Sequence, residues 1–308
     1  MATWNIQGKR LQEALQVAED FQAGFHVLHL QEVSPEVEVA DGGHSCMYVG
    51  ADQVVLAKPH GCFRALATVV EEGFLPNGFK IKVGHSHVAL FATNQCSGRK
   101  LLLVNIHLPH GSRPLEDLQN AVDSIISQCS SATDSGEEVY MFGDFNQCLI
   151  HGCGDRRLVL DGLLQRMGLH YYSGNSMGTR NPTGSRLDTL AINFAAFQTL
   201  VEIDPEDPHM TWGEEAYLWC CKQTLGVDHV LVQWDFLWNN HSRVARARMQ
   251  QDGPRKRARN FAGRKQVHDL SSLAALVYEG HNSLMDGGLS DCLLYTSPSP
   301  RDLNPNLV

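Results

Sequence analysis

The sequence predicts an α/β domain in which strands dominate. Two observations carry that reading. The N-terminus runs strand, helix, strand within about 30 residues, the length of a βαβ-like unit. From Cys46 onward, short β-rich runs punctuated by Gly and Pro outnumber helical stretches and alternate with them irregularly.

The elements follow in order. Ala2 to Gln7 (ATWNIQ) reads as a strand. Lys9 to Ala23 carries Leu11, Leu15, Ala18 and Phe21 at helical spacing, and Gly24 is suited to end that helix. Phe25 to Val33 (FHVLHLQEV) is the second strand; Val27, His29 and Gln31 alternate with Leu28 and Leu30. Cys46 to Lys58, Ala65 to Glu71 and Phe79 to Thr93 are β-rich. Arg99 to Leu108 (RKLLLVNIHL) is a strongly apolar strand. Pro114 to Cys129 predicts an amphipathic helix with Leu115, Leu118, Val122, Ile125, Ile126 and Cys129 on one face. Pro114 is expected in its first turn. Val139 to Phe142 is a buried strand ended by Gly143. Arg156 to Met167 reads as helix; Ser185 to Phe194, Thr199 to Ile203 and Asp228 to Trp234 read as strands.

After Trp238 the β pattern stops. The boundaries expected are a folded domain over residues 1–238 and a basic linker with a largely unstructured tail over 239–308. Leu270 to Tyr278 has helical character within that tail. Ser290 to Val308 is rich in Pro, Ser and Asn and resembles translated sequencing-adapter sequence, so it carries no fold argument.

Composition narrows the function. The chain has 308 residues with 43% hydrophobic and 19% charged side chains, in the range of a soluble globular protein. No run of 18 apolar residues offers a spanning helix, and the first 20 residues lack the apolar core of a signal peptide. Nine cysteines at irregular spacing, with no CxxC, predict reduced thiols rather than a disulfide framework or a zinc finger. A nuclear or cytoplasmic setting, not a secreted one, is the expectation. The formal charge of −9 conceals an asymmetry. Arg243 to Lys265 holds nine of the 25 Lys and Arg and one of the 34 acids, Asp252. The remainder, with 16 basic and 33 acidic residues, carries −17.

Five segments place metal- or proton-handling side chains on strands or strand ends. They are TWNIQG (Asn5), LQEV (Glu32), VNIHLPH (Asn105, His107), GDFN (Asp144, Asn146), and SRLD with VDH (Asp188, Asp228, His229). In an extended segment Asp144 and Asn146, two apart, would face one reacting group. Taken alone, GDFN reads first as a strand followed by an Asx-type turn. Glu32 alone reads equally as an ordinary strand-end carboxylate. His229 alone reads also as a core histidine bonded to a backbone carbonyl, and Arg186 as pairing with a carboxylate or touching phosphate, or equally as a surface salt bridge.

In order and form these segments resemble the endonuclease/exonuclease/phosphatase superfamily, the DNase I-like proteins, over about residues 2 to 235. The WNIQG, VNIHLP and SRLD–VDH forms are closest to the endonuclease domains of non-LTR retrotransposons. The resemblance implies a four-layer α/β sandwich: two mixed β-sheets packed face to face with helices outside. It implies a Mg²⁺-dependent (or Mn²⁺-dependent) phosphodiesterase, most closely a DNA-nicking endonuclease acting on double-stranded DNA. The basic segment would lead to a reverse transcriptase domain absent from this chain. Asn5, Glu32 and Asp228 would surround the metal. Asp144 would orient or deprotonate the attacking water, and Asn146 would donate to phosphoryl oxygens. Asp188 would hold His229 against the scissile phosphate. His107, expected at the edge of the cleft, would assist the leaving oxygen. Two positions depart from relatives: Gln7 stands where abasic-site enzymes carry an acid, and Val227 where Ser commonly precedes Asp-His. A phosphatase or RNA exonuclease of the same fold, or a catalytically inactive nucleic-acid-binding domain, is the alternative.

Overall fold

Two parallel strand pairs, one in each of two sheets, form the centre of the fold. The computed structural model describes residues 1–20, 25–35, 38–71, 79–93, 98–148, 152–171, 179–180, 185–196, 213–217 and 225–235. The predicted strand Thr199 to Ile203, the basic linker and the tail lie outside the described residues, as does Gly24.

The first sheet has seven strands. It is built on β1 (Ala2–Asn5) parallel to β2 (Val27–Val33), with the helix α1 (Leu11–Asp20) between them in sequence. Antiparallel strands extend it on both sides. β5 (Ala65–Val70), β4 (Asp52–Ala57) and β3 (His44–Val49) follow β2; β13 (Leu231–Asp235) and β12 (Gly213–Tyr217) follow β1. The second sheet has six strands, ordered β10 (Leu169–Tyr171), β11 (Asp188–Asn193), β9 (Glu138–Asp144), β8 (Lys100–His107), β7 (His87–Thr93) and β6 (Lys80–Val83). Its parallel pair is β8–β9, connected through α2 (Leu115–Asp134). The third helix, α3 (Asp155–Arg166), precedes β10.

The sheets pack face to face through β1 and β2 against β8 and β9. Phe142 of β9 meets His29 of β2 edge-on at 3.9 Å between ring centroids, and Trp234 of β13 at 6.4 Å. This interface is not purely apolar. Asn105 of β8 donates to the Leu30 and Ala67 carbonyls at 3.3 and 3.0 Å, and accepts from Gln31 at 2.8 Å. Gln31 and Thr3 are hydrogen-bonded, as are His29 and Thr68. Burial holds the His29 imidazole well below its ordinary pKa, in the neutral form that needs no counter-charge. Each buried polar group is worth keeping only while its partner is present, so this network fixes which face of β8 meets β2.

The outer face of the second sheet carries Leu102, Val104, Val139 and Met141 against Leu118, Val122, Ile125 and Cys129 of α2 and Leu160 and Leu163 of α3. The expected stripe of α2 is therefore right at its centre but not at its start. Leu115 is exposed, Ile126 only half-buried, and Pro114 caps the helix rather than lying in its first turn. In α1 the buried residues are Leu11, Ala14, Val17 and Ala18, with Leu15 half-buried. The strands β10 and β12 had no sequence expectation; β10 is three residues long and β12 reads Gly-Glu-Glu-Ala-Tyr, without a strand-like apolar run. The five described cysteines are all free, and among the described residues no helix is long and apolar enough to cross a membrane.

Candidate active site

The C-terminal ends of the two parallel pairs open onto one cleft of about 530 Å³. Backbone geometry at those ends decides which side chains reach it. Strict alternation along β2 would send Glu32 to the same side as Leu28 and Leu30. Instead the β2–β5 register breaks between Leu30 and Val33, and Glu32 takes φ of 53°. That turn brings its carboxylate to Asn5, whose Nδ2 donates at 3.1 Å. The strand β9 runs one residue past Gly143, to Asp144. Gly143 is required there: a Cβ would sit 2.2 Å from the Ile106 carbonyl oxygen. Asn146 has φ of 51°, so it is not part of an extended segment as its spacing from Asp144 suggested. Its backbone N–H donates to Asp144 Oδ1 at 2.7 Å, an Asx-type turn, and its side chain donates to the Leu108 carbonyl at 2.8 Å. Gln7, Glu32 and Asn146 are three of the four non-glycine residues with positive φ among the described residues, and all three line the cleft.

Asn5, Glu32, His107, Asp144, Asn146, Asp188, Asp228 and His229 are all brought to this end of the sheets, whereas Asn105 is taken up by the interface between them. Asn5 Nδ2 bridges Glu32 and, at 2.9 Å, Asp144 Oδ2. His107 stands opposite Asp144 in the β8–β9 register, its Nε2 3.4 Å from Glu32 and 3.9 Å from Asp144. It is central rather than at the edge, because both carboxylates converge on it. His229 Nδ1 donates to Asp188 Oδ2 at 2.8 Å, which leaves Nε2 facing Asp144 Oδ2 at 3.9 Å and Asp228 Oδ1 at 3.7 Å. The backbone of His229 is fixed by the Trp4 indole N–H, which donates to its carbonyl at 3.1 Å. Asp188 is buried behind the cleft, its N–H donating to the Thr179 hydroxyl at 2.9 Å. Asp228, at the rim, accepts from the Gln7 amide and from Arg180 Nε at 2.9 Å.

Burial disfavours the charged form of His229, but the charge of Asp188 and the hydrogen bond to it outweigh this, and its pKa is pushed up to about 9. His107 behaves alike: burial opposes protonation, and Cys62 and Glu32 together hold it well above the ordinary range. Glu32, hydrogen-bonded to His107 and against the cost of burial, is lowered to about 2. For Asp188 burial wins over the attraction of His229, and its pKa is raised. The site is thus a set of acids interleaved with two imidazoles that favour the protonated state.

The carboxylates suit a hard divalent cation, because half-exposed Glu32 adjoins a second oxygen donor, Asp144; Asn5 faces both with its Nδ2, its Oδ1 accepting from the Gln7 N–H. Asp144, Asp188 and His229 also bring one ligand atom each within 4.8 Å of one another. A cation there would compete with the proton that Asp188 and its neighbours favour on His229, so the Glu32 side is the better fit.

Thr179, Arg180 and Trp4 were not expected at the site, and Arg186, read as pairing with a carboxylate, touching phosphate or forming a surface salt bridge, is 2% exposed and does not line the cleft, which leaves no surface ion pair for it. Arg180 and Thr179 carry no local signature. Only the antiparallel bridge of Arg180 to His229 brings them to the site.

No protein-family model matches the sequence, and no curated protein matches it. Solved structures do. The endonuclease domain of TRAS1, a telomere-specific non-LTR retrotransposon, matches with a TM-score of 0.52 at 15% identity, covering 77% of this chain and 97% of that one. The chain has the DNase I-like fold of endonuclease/exonuclease/phosphatase proteins. The 3′ phosphatase NExo from Neisseria, bound to a product DNA hairpin, matches this DNase I-like chain with a TM-score of 0.54 at 14% identity, over 77% of this chain and 98% of that one. An AP endonuclease from Archaeoglobus fulgidus does so at 0.54 and 12%, over 76% and 98%. At such identities the likeness is one of fold.

Proposed function

We propose that this DNase I-like chain is a divalent-metal-dependent phosphodiesterase, a DNA-nicking endonuclease of the kind carried by non-LTR retrotransposons. The observation that carries it is the Asp188–His229 pair aimed across one cleft at the Asn5–Glu32–Asp144 set. Phosphodiester hydrolysis asks for an oriented water, charge stabilisation on the phosphoryl oxygens and a proton for the leaving oxygen.

Glu32 would hold the cation, Mg²⁺ or Mn²⁺, with Asn5 fixing the carboxylate and Asp228 adding negative charge beside it. When bound, the cation supplies electrophilic polarisation of the phosphate. Asp144, anchored through both oxygens by Asn146 and Asn5, orients and deprotonates the water. Protonated His229, held by Asp188, donates from Nε2 to a phosphoryl oxygen. Asn146 has a second amide hydrogen for the same group. Protonated His107 donates to the leaving oxygen, and its raised pKa keeps the proton in place until then. Gln7, where an acid was expected by analogy, binds Asp228 through its amide, so the first motif adds no second carboxylate.

One observation favours a second reading. Outside the basic segment the chain carries a formal −17, which suits an RNA 3′ end or a small phosphoester better than a long duplex. The test is one substrate panel with Mg²⁺ and with Mn²⁺: supercoiled plasmid, a single-stranded RNA and a 3′-phosphorylated oligonucleotide. Conversion of plasmid to the nicked circle supports the endonuclease reading. Release of nucleotides or phosphate with an untouched plasmid supports the second. Folded protein inert on all three defeats both.

A further inference from the structure

We infer that Phe63 is a stacking platform for an unpaired nucleobase, so that the cleft takes a strand with at least one unstacked nucleotide beside the cut phosphate. This deepens the phosphodiesterase reading and rests on it for the position of the phosphate. Phe63 is 86% exposed, the highest value among the large hydrophobic residues that are exposed in the described part of the chain. A single exposed apolar side chain is ordinary on a protein surface. Three features set this one apart.

The first is place. Of Tyr48, Phe63, Leu115, Leu158 and Phe194, the exposed large hydrophobics, Phe63 alone lines the cleft that holds Glu32, Asp144 and His229. The second is rigidity. Its loop, between β4 and β5, is tied down at each step. The His60 N–H donates to the Gly84 carbonyl at 3.1 Å, and the Ser86 N–H returns a bond to His60 at 2.9 Å. The His85 ring lies on Gly61, where a Cβ would be 2.3 Å from it. Cys62 is buried, its thiol directed at the His107 carbonyl at 3.7 Å. A loop anchored this way holds its aromatic ring out into water without a flexible stem, which lowers the ordering cost of stacking.

The third is charge. The Arg64 guanidinium lies 5.6 Å from the Phe63 ring centroid and rests on Gly8, whose N–H in turn binds the Glu32 carbonyl. Arg113 and Arg180 line the same cleft, each also paired with a carboxylate, Asp117 at 3.0 Å and Asp228 at 2.9 Å. An aromatic face with cationic neighbours is how single strands are held without sequence readout: bases stack on the ring and phosphates follow the charges. A duplex offers such a face only where a nucleotide is extruded from the stack.

The experiment measures equilibrium binding of the full chain in EDTA, where no cleavage occurs, by fluorescence anisotropy. One probe is a single-stranded DNA oligonucleotide; the other is a strand of equal length and phosphate number made of abasic spacers. The wild-type protein is expected to bind the base-bearing strand about tenfold more tightly or better, the range of one stacked base. Phe63→Ala should abolish that preference and Phe63→Trp retain it; an exposed position makes both substitutions compatible with folding. Equal binding of the two strands by the wild type, binding of neither, or a preference that survives in Phe63→Ala would overturn the inference. Hydrolysis is scored separately. Metal-dependent cleavage without a base preference removes Phe63 as a platform and leaves the enzyme reading standing. A base preference without hydrolysis of any phosphoester does the reverse.

Discussion

Replacing Asp188 by Asn probes the central pair through stability rather than rate. In the native protein His229 is 3% exposed and donates to Asp188 at 2.8 Å, and its pKa stands at about 9 against 6.5 for an ordinary histidine. The native state therefore keeps a proton that the unfolded chain has released between pH 6.5 and 9. Stability from this group is fully present below about pH 6.5 and is lost as pH rises through 9. A shift of that size corresponds to ~3 kcal/mol at most. Desolvation of Asp188, whose own pKa burial raises, offsets part of it. With Asn at 188 the imidazole stays buried while the attraction is gone, so the His229 pKa falls and the proton is no longer held. The assay is urea unfolding of both proteins at intervals from pH 6 to pH 10. Wild-type stability should exceed that of the variant by ~1–3 kcal/mol near pH 6, and the two curves should converge by about pH 9.5. His107, which is also raised, titrates in both proteins and cancels in the difference. Parallel curves would show that Asp188 does not hold the proton on His229.

Three further outcomes follow from the geometry and the charge distribution. Gly143→Ala places a methyl 2.2 Å from the fixed Ile106 carbonyl at an unfavourable φ, and should cost about 2 kcal/mol or more, read as a lowered Tm. Glu32→Gln should raise the metal concentration needed for half-maximal hydrolysis while leaving the fold intact; an unchanged metal titration would place the cation elsewhere. A chain ending at Ser242 lacks the nine positive charges of Arg243 to Lys265. Its DNA binding should weaken and its salt dependence flatten by about 0.9 in log–log slope per phosphate no longer neutralised, whereas equal slopes would make the segment a spacer or an import signal.

What the sequence made legible was local. Leu101 to Val104 and Val139 to Phe142 are apolar on both faces, the pattern of strands covered on both sides, and the structure buries every one of them. The motif residues were legible by type, because few arrangements other than a site gather Asn, Glu, Asp and His at strand ends. What could not be read was anything set by register or by a contact distant in sequence. Alternation points Glu32 the wrong way, and only the bulge corrects it. Arg180 meets Asp228 48 residues away, and Trp4 meets His229 225 residues away; neither partner announces the other. Gln7 read as a missing acid, whereas its amide both donates to and accepts from Asp228. GDFN read as either a turn or a site, and the Asn146 N–H bond to Asp144 makes it both.

The most direct test of the account is the rate of Mg²⁺-dependent plasmid nicking by wild-type protein and by His229→Ala, at equal concentrations of protein shown to be folded. The arrangement predicts cleavage by the wild type that EDTA abolishes, and a loss of several orders of magnitude in the variant with its unfolding transition still cooperative. A variant that nicks at the wild-type rate per folded molecule would contradict it, and His229 would then be a core histidine and no part of the chemistry.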